Sequence, residues 1–201
     1  DLLQSQRSFR FAALAKWLGI FSVMLSYSFL PDFGSHVLAT VFWIILIGQV
    51  SVVRVRSDLA CWSLMRQLPI SNQRYLLVGL SPVYLLAVLA SVIGLILSAI
   101  IFRTPLGGLV VLIPGMAAIT VCMAVFDVIR RSRSDLLLTG SVPELSAGGI
   151  FLGLIVAAVP VLVDALVPGA FGLVLAALLS VGLGILAYSL AVHSFRYIDT
   201  S

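Results

Sequence analysis

Six apolar runs of about spanning length, each bounded by charge or turn residues, account for most of the chain and constrain its fold more than any motif does. A helix needs about 20 mostly apolar residues to cross about 30 Å of hydrocarbon, because lipid offers no partner to an unsatisfied backbone N–H or C=O. The first run covers Phe11 to Leu30 and stops at Pro31-Asp32-Phe33-Gly34; the second covers His36 to Val53 and stops at Arg54-Val55-Arg56. The third covers Tyr75 to Phe102 and stops at Arg103-Thr104-Pro105; the fourth covers Leu106 to Ile129 and stops at Arg130-Arg131-Ser132-Arg133. The fifth covers Gly149 to Leu166, and the sixth, after Pro168-Gly169, covers Phe171 to His193. The expected fold class is therefore all-α: a polytopic membrane protein with six transmembrane helices forming one domain over residues 1–201.

Composition agrees. Apolar residues make up 61% of the chain and charged residues 10%, against about 45–50% and 25% in an average soluble domain. A mean hydropathy of +1.19 excludes a disordered tail, a coiled coil and a disulfide-stapled secreted module, each of which needs a different residue mix. The two cysteines, Cys61 and Cys122, carry little redox information. Residues 1–10 carry Leu2, Leu3 and Phe9 among polar neighbours, which fits either a short amphipathic segment in the headgroup region or an unstructured lead-in. An opening Asp1 in place of Met reads as a trimmed or incomplete chain, and the first apolar run lacks the features of a cleavable signal.

Basic residues set the expected orientation, because Lys and Arg stay preferentially in short cytoplasmic loops. Arg7, Arg10, Lys16, Arg54, Arg56, Arg66, Arg74, Arg130, Arg131, Arg133 and Arg196 fall on one side and Arg103 alone on the other. Both termini are then cytoplasmic, and the net charge of +4 reflects this sorting and not a nucleic-acid surface. The outer loops are too short to hold a domain, so a protein partner of substance is expected from the cytoplasm. The predicted location is the plasma membrane, in a bacterium the inner membrane.

Several kinds of chemistry lack their residues. A phosphate-cradling loop needs a glycine-rich turn followed by Lys and Ser/Thr, and the one lysine, Lys16, stands in Ala15-Lys16-Trp17. Metal or His-based catalysis is not expected from His36 and His193, which fall at opposite membrane faces and read as interfacial anchors. Ion-coupled carriers keep ionisable groups deep in a span. Here Asp127 sits near the inner end of the fourth span beside Arg130 and Arg131, fitting an i to i+3 or i+4 pair, and Asp164 lies near the outer end of the fifth. Gln49 is the most polar group well inside a span and reads as an interhelical hydrogen-bonding residue. Gly149 and Gly153, and Ser180 and Gly184, have the small-xxx-small spacing of close helix packing within the chain or in a dimer. Cys122 reads as a small packing residue, and Pro82, Pro114 and Pro160 as helix breaks within spans.

The most distinctive stretch lies between the second and third spans, from Arg54 to Arg74. Asp58 to Gln67 has helix-forming residues with an acidic group in the first turn and Arg66 in the last, and Pro69 ends it. Leu59, Trp62 and Met65 recur at helical spacing and give a short helix an apolar stripe. Ser71 or Asn72 can cap the third span.

This short cytoplasmic helix, followed by Leu68-Pro69-Ile70-Ser71, Arg74 and a long span, resembles the segment between spans two and three in the transmembrane (permease) subunits of ABC transporters, in the exporter-like six-span group. Leu136 to Leu145 is also similar to the fourth-to-fifth loop of some such permeases. The Glu-rich run that many members carry before the helix is reduced here to Asp58. The resemblance implies a coupling helix that docks in a groove of a separate cytoplasmic ATPase, with Asp58, Trp62, Met65 and Arg66 facing the groove and Leu68, Pro69 and Ser71 fixing the exit into the third span. It implies ATP and Mg on that partner, no cofactor and no enzymatic activity on this chain, and a second permease chain, identical or related, because six spans are too few for a pathway. The exporter-like resemblance implies export, and scarce buried charge favours an apolar or amphipathic substrate or a mechanical role without a continuous polar channel. The competing expectations are a non-transporting scaffold or assembly subunit, and a lipid-headgroup enzyme for which Asp127 with Arg130 to Arg133 is the one candidate constellation.

Overall fold

The computed structural model describes residues 2–30, 33–60, 72–103, 108–135, 147–167 and 169–196, with side chains described for 14–30, 34–55, 73–74, 76–103, 108–130, 153–164, 166–167 and 169–194 of these. Within them the chain is helical throughout, with no strand: α1 (Leu2–Ser26), continued by a 3-10 turn (Tyr27–Phe29), α2 (Phe33–Ala60), α3 (Asn72–Phe102), α4 (Leu109–Asp135), α5 (Ala147–Leu166) and α6 (Ala170–Arg196). Four helices contain stretches long and apolar enough to cross a membrane: Gly34–Val55, Leu76–Phe102, Leu109–Arg130 and Ala170–Ser194. Leu14–Phe29 and Gly153–Asp164 are shorter apolar helices.

Helix ends follow local chemistry. Proline disfavours helical dihedrals in the residue before it, and Leu30, preceding Pro31, is extended at φ −73°, ψ 124°. α1 therefore closes through the 3-10 turn, whose Tyr27 carbonyl accepts the Leu30 N–H at 3.3 Å. α3 ends where Arg103 takes a left-handed φ of 53°. The α5–α6 connection turns on Gly169 at φ +93°, a conformation glycine adopts without the steric cost of a Cβ. No Gly or Pro interrupts Arg54 to Ala60, so α2 runs through Asp58 to Ala60, whereas the sequence reading puts Asp58 in the first turn of a separate helix.

Named contacts fix the direction of each helix. Tyr27 meets His36, and Gly19 meets Leu46, so α1 and α2 are antiparallel. Gly94 lies against Phe21 and Met24, and the Ser28 N–H donates to Ser98 Oγ at 3.2 Å, so α1 and α3 are parallel. Gly115 faces Ser180 and Gly184 faces Ala118, making α4 and α6 parallel; Gly108 near Asp164 and Gly153 near Met123 set α5 antiparallel to α4. The result is an up-and-down bundle in which α2, α4 and α6 finish at one end.

The core lies along α4, which packs on α2, α3, α5 and α6. Of its spanning segment 61% is buried, against 28–39% in the other three. Its partner α6 turns inward a row of small residues, Gly172, Ala176, Ser180, Gly184, Ala187 and Ala191, so the two backbones approach closely. Outside, thirty large apolar side chains stand exposed among the described residues, including Val78, Leu85, Leu89 and Ile100 on α3 and Phe171, Leu178 and Ile185 on α6. A surface of that size with no polar cover suits hydrocarbon, not water.

Buried hydroxyls fit the same solvent. Ser51, Thr120 and Ser194 donate to carbonyls three or four residues back in their own helices, which satisfies them without a neighbour. Pro82 cannot donate to the Val78 carbonyl one turn earlier; Ser81 Oγ donates to that carbonyl at 3.3 Å. Side-chain replacement of a lost backbone bond is how proline is tolerated in lipid.

Candidate functional site

The two ends of the bundle differ in build. At the end where α1 turns into α2, connections are short: residues 30–32, 103–108 and 167–169. Tyr27 and His36 pack edge to face with centroids 4.4 Å apart, His36 Nε2 bonds the Leu30 carbonyl at 3.1 Å, and Thr40 Oγ1 donates to the His36 carbonyl at 2.8 Å. His36 is thus the clasp of the α1–α2 hairpin, a role more specific than interfacial anchoring, while its Nδ1 is buried without a partner. Phe29 rests on Phe102 at 5.5 Å and ties α3 to this end.

At the opposite end the helices continue past their apolar stretches. α2 runs seven residues beyond Val53 and α4 six beyond Ile129, where their apolar runs end in the sequence, while α3 begins three residues before Tyr75. Six or seven residues of helix add about 10 Å. These extensions carry Arg56 and Asp58 on α2, Arg74 on α3, and Arg131 and Arg133 on α4. The Tyr188 hydroxyl donates to the Gln73 carbonyl at 3.4 Å, pinning the later part of α6 to the first turn of α3. Arg54, Arg74, Asp127 and His193 each have an interaction partner.

Residues 61–71 and 136–146 follow α2 and α4 at this end and lie outside the described residues. Of the expected coupling residues, Asp58 belongs to the last turn of α2, its side chain outside the described set, and Trp62, Met65, Arg66, Leu68, Pro69 and Ser71 lie outside the described residues. The loop Leu136 to Leu145 also lies outside them. What is described is the platform: two helices that deliver residues 61–71 from one end of the bundle and receive them again at Asn72. The signal for that platform is the run from Arg54 to Ala60, polar enough to leave the membrane yet free of helix breakers.

Between the ends, the interior holds one side-chain pair. Trp43 Nε1 donates to Ser91 Oγ at 2.7 Å, and that hydroxyl donates to the Ala87 carbonyl at 2.6 Å. Both residues are buried. The pair locks α2 to α3 and uses both of its protons, the Trp43 N–H and the Ser91 hydroxyl, within the bundle. Gly153 of the fifth-span GxxxG comes to 3.9 Å from Met123 Cβ by its would-be Cβ, and Ser180 and Gly184 face α4; these spacings serve packing within the chain. No family model matches this chain, and neither a curated protein nor a solved structure matches it.

Proposed function

We propose that this chain is the membrane-spanning permease subunit of an ATP-driven ABC transporter, an exporter of an apolar or amphipathic substrate, working with a separate cytoplasmic ATPase and a second permease chain. In this reading all six helices span the plasma (bacterial inner) membrane, both termini are cytoplasmic, and residues 61–71 carry the coupling helix. The observation that carries it is the contrast between the ends: at one, α2 and α4 stay helical through charged residues beyond their apolar runs, and at the other the helices are joined by short turns. A structure that only had to sit in lipid has no need of helix beyond its apolar length; a structure that receives force from a partner needs stiff levers out of the membrane.

The mechanism is conformational. ATP and Mg bind the partner ATPases, whose closure moves the segment seated on them. α2 and α3 transmit that movement because Trp43 and Ser91 join them in the interior, and packed helices switch between discrete arrangements more readily than they bend. This chain performs no chemistry of its own; its residues bind and transmit.

The test is coupling. With the permease and its ATPase reconstituted in proteoliposomes, Trp62→Ala and Arg66→Glu are expected to leave permease insertion intact while abolishing the stimulation of ATP hydrolysis by the permease. Full coupling in both variants would remove these residues from the interface. Deleting residues 58–69 with unchanged assembly and no associated ATPase would favour the scaffold reading.

A further inference from the structure

The outward face of α2 carries Leu38, Phe42, Ile45, Gln49 and Val53, spaced four, three, four and four residues apart, so they form one stripe along the helix. Leu38 and Phe42 are 60% and 58% exposed, and Ile45, Gln49 and Val53 are half-buried. Among the described residues nothing hydrogen-bonds the Gln49 amide, although it lies four residues before the apolar run ends at Val53, about 6 Å inside it. An amide with two donors and an acceptor is costly to leave unpaired in hydrocarbon.

We propose that this stripe is the contact between two copies of the chain, with Gln49 of each copy hydrogen-bonded to Gln49 of the other. Copies inserted with the same orientation are related by a two-fold axis along the membrane normal, so a residue on the axis meets its own counterpart at the same depth. An amide is complementary to itself, donating through Nε2 and accepting through Oε1, and the pair satisfies both without any other polar residue. The spacing of the stripe is that of a helix–helix seam, in which one polar position sets register and partner number. Acyl chains offer the amide nothing. The inference deepens the pairing of permease chains proposed above and needs no ATPase.

The test uses the full chain alone in lipid vesicles, in a Cys61→Ser, Cys122→Ala background. Leu38→Cys and Phe42→Cys are expected to form disulfide-linked dimers on mild oxidation, at least fivefold more than Leu89→Cys on α3 or Leu178→Cys on α6. By dilution-dependent energy transfer, Gln49→Leu should weaken dimerisation about 3- to 20-fold, the range for one to two hydrogen bonds between membrane helices, with Gln49→Asn keeping most of the affinity. Cross-linking as strong at Leu89 or Leu178, or a Gln49→Leu chain that dimerises as tightly as the parent, would each overturn the proposal. Because no ATPase is present, such a failure is separate from failure of the coupling assay.

Discussion

Gly115→Ala tests the tightest helix crossing in the bundle. A Cβ on Gly115 would fall against Ser180 Oγ, 2.5 Å from Ser180 Cβ and 3.1 Å from its carbonyl carbon. Ser180 cannot swing away, since its Cβ is fixed by the α6 backbone and its hydroxyl donates to the Ala177 carbonyl at 2.8 Å. The helices have to part instead, and overpacking of this kind costs about 1–3 kcal/mol. Helix propensity acts in the other direction, because Ala is favoured over Gly in a helix interior by about 1 kcal/mol. With a clash that no rotamer relieves taken in the upper half of that range, about 2–3 kcal/mol, the expected net effect is a loss of about 1–2 kcal/mol in unfolding free energy. Ser180→Gly removes the two closest contacts and leaves only the backbone carbon, so the double variant Gly115→Ala/Ser180→Gly should recover about 1 kcal/mol relative to the sum of the single changes. The assay is reversible unfolding in mixed detergent–SDS micelles, followed by tryptophan fluorescence and arranged as a double-mutant cycle. A Gly115→Ala chain that is neutral or more stable, or a cycle with no coupling, would refute the close α4–α6 approach.

Two further outcomes follow from the interior. Trp43→Phe keeps a large ring but loses the 2.7 Å bond to Ser91; the expected cost is about 0.6–1.7 kcal/mol, as for hydrogen bonds between membrane helices, whereas Trp43→Ala should cost about 3–5 kcal/mol through the cavity it leaves. A Trp43→Phe chain as stable as the parent, read in the same unfolding assay, would remove the hydrogen bond from the account. Ser81→Ala strips the hydroxyl from the Val78 carbonyl that Pro82 leaves without its backbone donor. It should destabilise by about 0.5–1 kcal/mol with Pro82 present and by less in a Pro82→Ala background, where the backbone N–H returns; equal effects in both backgrounds would contradict this role for Ser81.

Helix placement was legible because lipid imposes one rule on every span. The apolar run Phe171 to His193 corresponds to α6 at Ala170–Arg196, and Gly149 to Leu166 to α5 at Ala147–Leu166. Errors gathered where a run of polar residues continues a helix: α2 passes Val53 and reaches Ala60, and α4 passes Ile129 and reaches Asp135, because charge ends a span but does not end a helix. Which small residues matter was only partly legible. Ser180 and Gly184 stand out by spacing, but Gly94 and Gly115 look like any other of the 16 glycines until α1 and α6 are seen against them. His36 signals nothing by itself, since its partners are the Leu30 carbonyl and the Tyr27 ring on the preceding turn. The proposed coupling segment rests on its resemblance to a family pattern alone, and residues 61–71 lie outside the described residues.

Native mass spectrometry of the gently solubilised complex tests the central claim most directly. The account predicts two permease chains, this one paired with itself or a relative, bound to two copies of a phosphate-loop ATPase. This chain found among unrelated membrane subunits with no ATPase present would contradict the transporter reading and leave residues 61–71 without their assigned role.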